Sequence, residues 1–65
     1  MTTSDLAELS TLRAQIDDVV ERVVTTAERY DDTSDSAVSS DLFAAERALR
    51  VARRSLDRAI ALLER

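Results

Sequence analysis

The sequence predicts an all-α fold: an antiparallel two-helix hairpin whose surplus of apolar surface requires pairing into a homodimeric four-helix bundle. Three observations predict it. The 65-residue chain contains neither Gly nor Pro, the residues on which tight β-turns and all-β folds draw. Its second half repeats Leu and Ala in alternating steps of three and four residues: Leu42, Ala45, Leu49, Ala52, Leu56, Ala59 and Leu63. A polar block, Asp31-Asp32-Thr33-Ser34-Asp35-Ser36, separates that pattern from an earlier apolar one of similar length.

The first helix is expected over residues 5–30. Leu6, Leu9, Leu12, Ile16, Val19, Val20, Val23, Val24, Ala27 and Tyr30 share an arc of roughly 140°, the stripe of a core-facing helix. Ser4 or Asp5 stands where a cap belongs. Asp5 and Glu8 also place negative charge at the positive end of the helix dipole. The two Val pairs are poor helix formers, so a strand over 19–24 is the rival reading. The flanking three/four spacing favours helix. Tyr30 closes the turn end of the core with its hydroxyl in water.

The break is expected over residues 31–38, because Asp, Ser and Thr bond their own backbone and favour turns and caps. The second helix is expected over 39–64, capped by Ser39 or Ser40. With Ser39 as cap, Val38 and Phe43 have the spacing of a hydrophobic staple. The Leu/Ala repeat is then a helix-packing seam, with Ala permitting close approach. It resembles, in packing, the close antiparallel arrangement called an Alacoil. A second stripe, Ala44, Ala48, Val51, Ser55 and Leu62, widens the apolar arc toward roughly 180°, more than one partner helix covers. A chain of this size is marginal alone, and without Cys or His it has no disulfide or zinc to hold it. Regular helix packing and a homodimer remain.

Charge agrees with the hairpin. Residues 1–30 carry three Arg against six carboxylates, residues 31–41 carry four Asp, and residues 42–65 carry six Arg against three carboxylates. An acidic helix beside a basic one is weakly favourable for each exposed pair. All nine basic residues are Arg. That usage reads as a GC-rich coding bias and a bacterial source. With no long apolar run and no basic-then-apolar leader over 1–10, the chain is expected to be cytoplasmic. The net charge of −4 disfavours nucleic acid and anionic membranes as partners.

Catalytic chemistry finds no footing. Hydroxyls are plentiful, but there is no His, Cys or Lys to activate one. Asp17 and Asp18 are adjacent on a helix and diverge by about 100°. Aligned from Asp31, a calcium loop needs Gly where Ser36 stands and Glu where Leu42 stands. No enzyme, metal or cofactor is expected.

One face carries a candidate for partner binding: Phe43, Arg47, Arg50 and Arg54, with Arg53 and Arg58 beside it. Arg and aromatic residues are enriched at interface cores, and a basic patch suits an acidic protein partner. The plainer reading is a solvated face laced by Glu46–Arg50 and Arg53–Asp57 pairs at i, i+4. Glu46, Arg50, Arg53, Asp57 and Ala61 stand where helical-hairpin anti-sigma factors that bind cyclic di-GMP have Glu, Ser, Arg, Gln and Asp. The likeness is confined to Glu46 and Arg53. It implies a docking piece and does not carry the nucleotide over. The expected function is a small non-enzymatic protein–protein interaction or oligomerisation module. The alternative is a regulatory adaptor of anti-sigma or antitoxin type.

Overall fold

The computed structural model describes residues 2–65; Met1 lies outside the described residues. Two helices of equal length, α1 (Thr2–Tyr30) and α2 (Ser36–Glu64), pack against each other as a hairpin. Arg13 bonds Asp57 and Arg53 bonds Asp17. Four residues forward on α1 are thus four back on α2, which fixes the pair as antiparallel. The result is a rod of 50 × 15 × 11 Å. Its radius of gyration is 15.1 Å, against about 11 Å for a compact chain of this length. No helix among the described residues is long and apolar enough to cross a membrane.

The Val pairs at 19–24 are helical, because their spacing sends one stripe toward α2. Thr11, Thr25 and Thr26 fit the same helix by donating their hydroxyls to carbonyls four residues back. Tyr30 ends α1. Beyond it, Asp32 takes a left-handed backbone conformation (φ 59°), the place a Gly would fill in a chain that had one. The Thr33 hydroxyl then donates to the Tyr30 carbonyl at 2.6 Å and accepts the Asp35 N–H at 3.1 Å.

That compact closure reverses the chain by Asp35, so α2 begins at Ser36, three residues before the expected start. The Asp35 carbonyl accepts the Val38 N–H at 2.9 Å, and its side chain makes no capping bond. Ser39 is therefore not the cap. It lies in the second turn of α2, 3% exposed, at the contact with α1. With the cap at Asp35, Val38 and Phe43 no longer bracket it, and Val38 is exposed.

The core is thin. Val20, Ala27 and Ile60 are its buried apolar residues. Leu6, Leu9, Ile16, Val23 and Val24 from α1, and Leu42, Phe43, Leu49 and Leu56 from α2, are half-buried around them. The positions of α2 that turn inward are Ser39, Leu42, Glu46, Leu49, Arg53, Leu56 and Ile60. They also follow three/four steps, but on a line rotated from the Leu/Ala repeat. Leu42, Leu49 and Leu56 belong to both lines. Ala45 and Ala52 do not: both are exposed, Ala59 is half-buried, and Leu63 is at the surface. The alanines thus flank the helix contact instead of forming it. The rotation buries Ile60, which the Leu/Ala repeat omits, and on the same line Arg53 meets carboxylates of both helices.

Candidate protein-docking faces

The rotated contact gives the rod two unlike sides. On one, ions are stitched across the helices. Arg53 donates through Nε and Nη2 to the two oxygens of Asp17, and through Nη1 to Asp57 at 2.8 Å. The other oxygen of Asp57 accepts from Arg13 at 3.2 Å. Arg50 pairs with Glu46 one turn away, at 2.8 Å. The Arg53 guanidinium, by its hydrogen bonds, holds the Asp17 carboxyl below the usual carboxylate range, and Asp17 in turn raises Arg53. These groups are partly exposed, so they orient the helices more than they stabilise them.

The other side is apolar and open. Leu12, Ile16 and Val19 of α1 line a groove with Leu49, Ala52 and Leu56 of α2. It continues toward the turn through Val23 and Leu42. Leu12, Val19, Tyr30, Val38 and Leu63 all lie along this side by helical spacing, and all are exposed. The α1 rim of the groove is polar, with Gln15, Asp18 and Arg22. The α2 rim carries the small residues Ala52 and Ser55, and helical spacing continues it through Ala45 and Ala48.

A third surface is the outer face of α2. Arg47 and Arg54 are exposed there and enter none of the ion pairs among the described residues. Arg58 donates to the Ser55 hydroxyl. Val51 and Leu62 share this face at 53% and 58% exposure.

The expected Phe43/Arg face is therefore divided. Phe43 is half-buried, and its position in the antiparallel pairing faces Ala27, whose small side chain is wholly covered. Arg50 is tied to Glu46 and Arg53 to α1, leaving Arg47 and Arg54 of the named set free. The Glu46–Arg50 and Arg53–Asp57 pairs form as their spacing suggests. The links across the helix pair, Arg13 to Asp57 and Arg53 to Asp17, were missed. Their signal was present as opposite charges at matching antiparallel positions, but reading it required the register first.

Among the described residues no three carboxylates gather into a set that could hold a metal ion. Comparison with protein-family models, curated proteins and solved structures finds no match to this chain.

Proposed function

We propose that the chain is a non-enzymatic protein–protein interaction module that works by self-association, two hairpins pairing through their apolar sides into a homodimeric four-helix bundle. One observation carries the reading: the apolar groove runs along the rod and no described residue covers it. The rod exposes 4804 Å², against about 4,100 Å² for a compact folded monomer of 7.2 kDa, and pairing along its length would cover part of that excess. Light scattering after gel filtration should give about twice 7.2 kDa. A 7.2 kDa particle at tens of micromolar, melting cooperatively, would overturn the proposal.

The second reading is an adaptor of anti-sigma or antitoxin type that holds an acidic partner on the outer face of α2. Its support is the coincidence of unpaired Arg47 and Arg54 with the two most exposed large apolar residues, Val51 and Leu62. Changing Arg47, Arg54 and Arg58 together to Glu should leave helicity and particle mass unchanged and abolish capture of such a partner. Capture at equal strength would leave these arginines as a solvated face.

A further inference from the structure

We infer that the second copy lies antiparallel on the first, α2 against α2, about a twofold axis beside Ala52. This rests on the self-pairing reading and specifies its geometry.

Three observations lead to it. The first is which edge of the groove is dry. From Leu42 to Leu56 the α2 edge carries no charge: Ala45, Ala48, Ala52 and Ser55 offer short side chains only. The α1 edge carries Asp18 and Arg22. A second hairpin that set α1 on this α2 edge would desolvate those charges against alanine. Setting α2 on α2 packs alanine on alanine and leaves the α1 edges to meet each other, where Asp18 and Arg22 are already paired within each helix.

The second is electrostatic. The turn end concentrates Asp31, Asp32, Asp35 and Asp41, with Glu28, against Arg29 alone. Two copies laid parallel would stack those ends on each other. Laid antiparallel, the two acidic turns lie at opposite ends of the bundle, far from each other. The same choice makes every neighbour in the ring of four helices antiparallel, so all adjacent helix dipoles oppose favourably.

The third is symmetry. A twofold contact is self-complementary: what lies one way from the axis must fit what lies the other way. Ala45 and Ala59 each stand seven residues from Ala52, about 10.5 Å along the helix. An antiparallel pair centred there sets Ala45 of each copy against Ala59 of the other. It also turns Arg47, Arg54 and Val51 away from both neighbouring helices.

The chain has no Cys, so single thiols report directly. Ala45→Cys and Ala59→Cys proteins, mixed and oxidised, should yield the mixed disulfide in large excess, with little dimer from either alone. Efficient disulfide formation by each variant alone would mean a parallel pair and overturn the inference. As a check that does not disturb the packing, a spin label at exposed Ser34, introduced as Ser34→Cys, reads the distance between turns. It should approach the 50 Å length of the rod. A separation under about 20 Å, two helix diameters, in a particle of dimer mass would overturn the orientation while leaving self-pairing intact. A monomeric mass would instead overturn the self-pairing on which the inference stands.

Discussion

Arg53 and Asp17 meet across the helix pair in a two-pronged contact, Nε and Nη2 of the guanidinium each donating to a different oxygen of the same carboxylate. The third nitrogen reaches Asp57 on α2 itself. One arginine thereby ties both helices at a single level. Planar forks suit this geometry, and a lysine at the same place would reproduce the charge without the two parallel bonds.

Acid should loosen this contact. The hydrogen bond from Arg53 lowers the Asp17 pKa, so Asp17 contributes stability that is fully present above the ordinary carboxylate range, near pH 4. That contribution is lost as the pH falls through the lowered folded value. Asp17→Asn should therefore show a smaller drop in melting temperature than the parent between about pH 4 and pH 2. Equal drops, followed by circular dichroism, would mean that Asp17 takes no part in the acid response.

Ile60 is the most covered large side chain of the thin core, at 5% exposure. Ile60→Ala should cost about 2–4 kcal/mol, enough to unfold a hairpin of this size in most conditions. Ile60→Val should cost about 1 kcal/mol. Urea titration checks both, and a loss under about 0.5 kcal/mol for Ile60→Ala would place this residue at the surface.

Asp32 holds a left-handed conformation that Gly adopts freely. Asp32→Gly should be neutral or stabilise by up to about 1 kcal/mol. Asp32→Val should destabilise by about 1–2 kcal/mol, because a β-branched side chain resists positive φ. Equal melting temperatures for the two variants would mean that the turn has another conformation in solution.

The two exposed apolar surfaces should answer differently to charge. On the proposed self-pairing, Val19→Glu places a carboxylate in the groove and should convert the dimer to a 7.2 kDa monomer that keeps helical content. Val51→Glu, on the outer face of α2, should leave the mass of the dimer unchanged. Sedimentation of both at one concentration separates them, and the reverse result would move the interface to the outer face. Ala52→Leu tests the groove by bulk: it should weaken association and leave the hairpin's helicity intact, since Ala52 is exposed within one chain.

The two helices and the break between them were legible in the sequence, since period, polar block and absence of Gly and Pro all point the same way. The rotation of α2 about its axis was not. Hydropathy ranks Ala52 inside and Arg53 outside, and a Leu/Ala repeat reads as a seam on that ranking. The inward line buries Ile60, which stands outside the Leu/Ala repeat, and carries Arg53 with it to Asp17, thirty-six residues away. The start of α2 was misplaced for a similar reason. Ser39 has the chemistry of a cap, but the Thr33 hydroxyl completes the reversal earlier and leaves Ser39 to face α1. Phe43, the sole Phe and on sequence grounds either a staple with Val38 or an anchor for a partner, is half-buried at the level of Ala27.

The ion cluster also removes a degeneracy. The half-buried leucines of α2 recur every seven residues and match themselves after a slide of one heptad: Leu49 would take the place of Leu42, and Leu56 that of Leu49. These three leucines alone do not mark one alignment. Arg13, Asp17, Arg53 and Asp57 are not repeated along the chain in that arrangement. A slide of seven residues would carry Arg53 about 10 Å from Asp17 and bring Ile60 to its level. The four charges act as a vernier mark on an otherwise periodic rule, selecting one alignment of two helices that could slide.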